Sequence, residues 1–183
     1  SPLRADMFGL YRVRPFMPLL MISERVEDGR SRPNHTVAET FRTAQELMTQ
    51  ARAAMPGLRN DQCVIDPGIA PIASDAEGHL KRVLATMAMI HADRDFAGVH
   101  ISVGLSNFTV MLPSRRADGA LVKSALESAF LTKAMPLGLD MIIGSMKRKY
   151  ELLPDDDPAM QCLNEVLALE GFDAILRVKD FYS

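Results

Sequence analysis

Along this chain, short apolar runs alternate with longer stretches in which apolar residues recur every three or four positions. The run 16–22 is apolar throughout, the pattern of a strand covered on both faces, with Pro18 as its one irregularity. Thr36-Val37-Ala38-Glu39 then has capping-box spacing. Val37, Phe41, Ala44, Leu47, Met48, Ala51 and Met55 follow it as a helical stripe, which Pro56-Gly57 ends. Cys63-Val64-Ile65 is a second buried strand, running into Asp66-Pro67-Gly68. Ser74-Asp75-Ala76-Glu77 predicts another capping box, and Leu80, Val83, Leu84, Met87, Ala88 and His91 form its helical stripe. That pattern gives His91 a core or interface position.

The third strand covers 98–103 and ends at Gly104. A loop to about Ser114 precedes a helix bearing Leu121, Val122, Ala125, Leu126, Ala129 and Phe130. The fourth strand is 139–144. Asp157-Pro158 predicts a helix start with Asp as N-cap, and 172–182 reads as a final helix. Four strand-then-helix units in succession predict an α/β fold with a parallel sheet. The sheet is either open and doubly wound or part of a barrel. In both, functional loops sit at the carboxyl ends of strands, here 23–25, 66–72, 104–114 and 144–146.

Composition narrows the function classes. A net charge of −2 with dispersed basic residues argues against nucleic acid and anionic membrane as partners. Arg115-Arg116 and Lys147-Arg148-Lys149 read as solvated surface. No apolar run reaches the roughly 20 residues of a membrane-spanning helix, and no signal-peptide pattern opens the chain. Cys63 and Cys162 lack metal or disulfide spacing and read as buried thiols of a cytoplasmic protein. The four histidines show no metal-ligand spacing, and GxSxG, GxxxxGKS and GxGxxG are all missing. Hydrolase, kinase and dinucleotide readings therefore lack motifs.

Three residues on the strand-end loops carry candidate chemistry. Asp66 can accept two parallel hydrogen bonds from an amidine-like donor pair, or simply brace its loop. Asn107 offers one acceptor and two donors after the sharp exit at Gly104, or serves as a turn residue. Arg115 can reach an acidic substrate group or a phosphate, or lie at a helix start on the surface.

Taken in order, these segments resemble one family. Residues 63–71, CVIDPGIAP, are similar to the "IDPLxxP" segment of pterin-binding methyltransferases. Residues 103–109 with 112–115 resemble their "GLSNxSFxLPxR", and 129–131 with 138–143 resemble "AFLxxAxxxGLDxAI". The match runs over about 16–146. The family includes the folate domain of cobalamin-dependent methionine synthase and the methyltetrahydrofolate:corrinoid methyltransferases, and its fold is a (β/α)8 TIM barrel related to dihydropteroate synthase.

The resemblance implies a methyltransferase that moves a methyl group between N5 of methyltetrahydrofolate and a corrinoid protein carrying cobalamin. It implies a substrate site formed by Asp66, Gly104, Ser106 and Arg115, with Asn107 as the catalytic residue at N5 and no metal. An Asn that both donates and accepts suits either protonation state of N5.

The segment between Arg115 and Phe130 is longer than in the shortest members and closer to the methionine synthase version. Ile143-Gly144-Ser145-Met146 lacks the Asp or Asn common at that strand end. The match starts near the fourth barrel strand, whereas a complete barrel needs about 250 residues. The chain is thus expected to be a single pterin-binding domain over 1–183, the C-terminal half of a barrel (about strands 4–8) without its first three βα units. Such a half exposes strand edges, so a homo-oligomer or an N-terminal half-barrel partner is expected. The alternatives are a non-catalytic pterin-binding or barrel-completing subunit, and a dihydropteroate synthase relative. The Lys of that family's "GxSRK" has no counterpart at Gly104-Leu105-Ser106-Asn107, which disfavours the second.

Overall fold

The computed structural model describes residues 2–183. They divide into two compact units. The first holds 2–68, 85–103 and 138–141; the second holds 69–84, 104–137 and 142–183.

The first unit is built on strands β1 (Leu19–Met21), β4 (Val64–Asp66), β5 (His100–Val103) and β6 (Leu139–Ile142), in the sheet order β1-β4-β5-β6. β1 and β4 pair in parallel with Met21 opposite Asp66, and β4 and β5 pair in parallel with Ile65 opposite Ile101. All three residues of β4 are buried, as its apolar pattern predicts. β1 departs from its prediction. It begins only after Pro18, and its burial alternates, with Leu20 buried between exposed Leu19 and Met21. An edge strand has one neighbour, so an apolar run there need not be covered on both faces. β6, at the other edge, buries Leu139 and leaves Asp140, Met141 and Ile142 exposed.

Between β1 and the first long helix the chain forms a hairpin that the apolar pattern did not predict, β2 (Glu24–Glu27) against β3 (Arg30–Pro33). Asp28 and Gly29 make its two-residue turn, with φ of 51° and 72°. Helix α1 (Val37–Ala54) follows with the predicted capping box. The Thr36 side chain accepts from Glu39 N, and Glu39 accepts from Thr36 N. Such a cap is worth about 1 kcal/mol. Ala44, Leu47, Met48 and Ala51 form its buried stripe.

Helix α2 (His79–Ala92) starts differently from its prediction. Ser74 does not cap it. Asp75 does, its two carboxylate oxygens accepting from His79 N at 2.7 Å and Leu80 N at 2.8 Å. A carboxylate that takes both orphan N–H groups is the stronger cap. Leu80, Val83, Leu84, Met87 and Ile90 are its buried apolar positions, and His91, expected at a core or interface position, is exposed rather than in the core.

In the second unit the predicted loop after Gly104 contains a single helical turn, α3 (Leu105–Phe108). Helix α4 (Lys123–Ala134) is buried almost all round from Leu126 to Leu131. Helices α5 (Pro158–Ala168) and α6 (Gly171–Tyr182) complete the unit, with Asp157 capping α5 as predicted. Phe108 and Phe130 stack at 5.2 Å in its core. Four strands enter the main sheet among the described residues, one fewer than strands 4–8 of a barrel would supply. No helix of the described residues is long and apolar enough to cross a membrane.

Candidate functional site

Asp66 is the last residue of β4, and its backbone carbonyl accepts from Ile22 N at 2.9 Å. The residue is 7% exposed. Oδ1 accepts from Gly68 N at 2.8 Å, and Oδ2 receives no bond among the described residues. Burial pushes the carboxyl above its ordinary value, with the Gly68 N–H pulling the other way. Gly68 is required where it stands. Its φ is +73°, and a Cβ there would lie 2.8 Å from Ser23 Cβ. An open carboxylate oxygen on a buried strand end is a strong acceptor for a donor-rich ring.

The same strand ends are braced by a residue that sequence reasoning missed. Asn34 is fully buried and donates through Nδ2 to Ile22 O and to Thr43 Oγ1, both at 2.9 Å. Its backbone N–H donates to Ser23 O at 2.9 Å. Arg25 donates to Pro33 O at 2.7 Å, clasping the hairpin beside it. Asn34 lies in a polar stretch with no periodicity, so nothing in the sequence marked it as buried.

Gly104, Ser106, Asn107 and Arg115 belong to the second unit. Gly104 is the N-cap of α3, and Asn107 N donates back to its carbonyl at 2.9 Å. A Cβ on Gly104 would stand 3.0 Å from Asn107 Nδ2. The structure therefore brings these two predicted residues together. Asn107 is exposed and Ser106 half-buried on the same turn. Arg115 stands apart, at the base of a small loop closed by its bridge to Leu121. Its Nη1 donates to Gly119 O at 2.6 Å.

Beneath the Asn107 turn lies a buried charge that the sequence did not reveal. Glu127 on α4 is fully buried, and its Oε1 accepts from Thr109 Oγ1 and pairs with Arg148. Arg148 Nη1 also reaches Thr109 Oγ1 at 3.2 Å. Thr109 N in turn donates to Asn107 O. One acid thus ties the loop after β6 to the turn that carries Asn107.

Both cysteines are free and buried, as expected. Burial raises the Cys162 thiol to about 11, which leaves almost no thiolate at neutral pH, and Cys63 also lies above its ordinary value.

The first unit thus carries a buried acid at the end of a parallel strand, and the second carries an exposed amide on a helical turn. The chain belongs to the pterin binding enzyme family, whose model matches residues 19–144. Membership supports binding of a pterin. No curated protein matches the chain.

Proposed function

We propose that this protein moves a methyl group between N5 of methyltetrahydrofolate and a corrinoid protein, as one part of a (β/α)8 barrel. The observation that carries the pterin half of the reading is Asp66, a buried carboxylate with one oxygen free of bonds from the described residues, on a strand end matched by the family. Its acceptor pair suits a pterin's ring N–H and 2-amino group. Asn107 supports the transfer half. Its amide is both donor and acceptor and is exposed, as a group must be that works on a methyl passing to another protein.

In this reading Asp66 binds and orients the pterin. Asn107 holds N5 in either protonation state and stabilises the charge that develops as the N–methyl bond breaks. Gly104 lets the Asn107 amide fold back against the main chain, and Ser106 and Arg115 line the substrate. The corrinoid, carried by its own protein, supplies the cobalt that accepts or donates the methyl. The apolar side chains in the open on both edge strands, Leu19 and Met21 on β1 and Met141 and Ile142 on β6, support further strands completing the sheet, from an N-terminal half-barrel or a second copy.

Asn107 also bears on the choice within the family, which includes dihydropteroate synthase. A neutral amide at that turn favours methyl transfer over a chemistry built on a lysine. Calorimetry with tetrahydrofolate tests the pterin half, with micromolar binding expected and its loss in D66A. Mixing the protein with methyltetrahydrofolate and a corrinoid protein, and following the cobalamin absorbance, tests transfer. Binding with no spectral change, even in the completed barrel, would leave a pterin-binding module and overturn the enzyme reading.

A further inference from the structure

Asp66 has a polar neighbour on its own face of the sheet. The parallel register sets Val64 opposite His100 and Ile65 opposite Ile101, so the next rung places Asp66 beside Ser102. Side chains in register on adjacent strands share a face, with backbones about 4.8 Å apart. Leu20, Ile22, Ile65, Ile101 and Val103 point to the other face and are all buried. Ser102 is 2% exposed, and its hydroxyl forms no hydrogen bond among the described residues. Asp66 Oδ2 is likewise without a bond from them. Two residues earlier on the same face as Ser102, His100 is occupied by Asp140.

A buried hydroxyl without a partner is costly to keep, as is a buried carboxylate oxygen, and here two such atoms lie on one rung. Neither is sealed, unlike Thr86 Oγ1, which has no partner and no solvent contact. Asp66 and Ser102 therefore face a space that a ligand can fill. On the pterin reading of Asp66, on which this inference rests, the carboxylate takes the ring N–H and the 2-amino group. The ring carries an acceptor on each side of that donor pair. One is the 4-oxo oxygen next to the N–H, the other the unprotonated ring nitrogen next to the amino-bearing carbon. A group beside the carboxylate must donate in either orientation of the ring. We infer that Ser102 is a second ring-binding residue, its hydroxyl donating to the acceptor beside the pair that Asp66 holds. A hydroxyl donates where an ionised carboxylate only accepts, so the two side chains divide the ring edge between them. The substrate class this rung selects is a 2-amino-4-oxo ring.

The experiment is titration calorimetry of the full chain with a tail-less tetrahydropterin, alongside thermal melts of the ligand-free protein. S102A should weaken binding about three- to tenfold, the worth of one hydrogen bond. The same variant should melt no lower than the wild type, since it removes a buried polar group that nothing in the free protein satisfies. S102T and S102V introduce side chains of the same shape, so comparing them separates the hydroxyl from the added volume. S102T should bind the probe at least about threefold more tightly than S102V. Equal affinity in S102A and the wild type overturns the inference and leaves the pterin reading standing. Equal affinity in S102T and S102V, with S102A destabilised, would make Ser102 a packing residue and overturn the inference as well. No binding of the probe to the wild type overturns the pterin reading itself, and the inference with it.

Discussion

Asn107 folds its amide over Gly104, leaving 3.0 Å between Nδ2 and the position a Cβ on Gly104 would take. The backbone there is not the obstacle, because Gly104 has φ −75° and an alanine adopts that freely. Replacing Gly by Ala at a compatible φ even removes some unfolded-state entropy, about 0.4–1 kcal/mol in favour of the fold. The added methyl would instead press on Asn107 Nδ2 and, at 3.7 Å, Cγ. G104A should therefore keep its melting temperature and lose roughly 10- to 100-fold in methyl-transfer rate, as sub-ångström misplacement of a reacting group commonly does. N107A is the reference, and G104A should approach it. A G104A variant with full activity would show that the amide's pose does not matter.

Asp66 gives a prediction with two opposite signs. Burial raises its carboxyl in the folded protein. The folded state therefore holds this proton more tightly than the unfolded state. Its stabilising contribution is full below the unfolded value near 3.9 and is lost as pH rises through the raised value. Pterin binding needs the ionised form, so affinity should rise with pH over that same interval and level off above it. D66N should weaken tetrahydrofolate binding by about 10- to 100-fold, the loss of a charge-assisted bond. Above the raised value it should leave the protein as stable or more so. Loss of both binding and stability in D66N would mark a bracing residue instead.

These two residues also show what the sequence could and could not reveal. Strand β4 and its Asp66 were legible because a short apolar run ending in Asp-Pro-Gly is a local pattern. Helices α1 and α5 were legible from their caps at Thr36 and Asp157. The hairpin at Asp28-Gly29 was not, because its strands are polar on both faces and bury almost nothing. Asn34, Glu127 and Arg148 escaped for a related reason. A buried polar group is defined by partners far along the chain, and no spacing rule announces them. Within the triplet 147–149 the surface reading holds for Lys147 and Lys149, which are exposed, and fails for Arg148, whose partner Glu127 is distant in sequence.

A second pH effect sits on the sheet itself. Asp140 on β6 accepts from His100 Nδ1 at 2.6 Å and from Ile101 N at 3.0 Å, joining the side chains of β5 and β6. The bond to Asp140 raises the imidazole above its ordinary value, and Asp61 adds to the effect. For a histidine held this way, the stabilisation is fully present below about pH 6.5 and is lost as pH rises through the raised value. Thermal melts of the wild type and D140N should differ more at pH 6 than at pH 9. The pair is partly solvated, so the difference should also shrink in high salt. A gap independent of pH would assign Asp140's role to the Ile101 N–H alone.

The ion pair under the Asn107 turn should respond unequally to loss of its two members. Glu127 is fully buried, whereas the Arg148 side chain is 22% exposed. Removing the arginine strands a carboxylate where water does not reach, and breaking a buried pair this way costs about 3–5 kcal/mol. E127Q leaves Arg148 able to turn towards solvent, and the Gln carbonyl can still accept from Thr109 Oγ1, so its cost should be nearer 1–2 kcal/mol, that of a charge-assisted bond weakened but replaced. Urea denaturation should therefore rank R148M as the less stable variant. The double variant E127Q/R148M should recover part of that loss, because the stranded charge is gone. Methyl transfer gives the functional readout. If Glu127 positions the turn through Thr109, E127Q should lower the transfer rate while tetrahydropterin affinity holds, and an equal fall in both would assign the acid to folding alone.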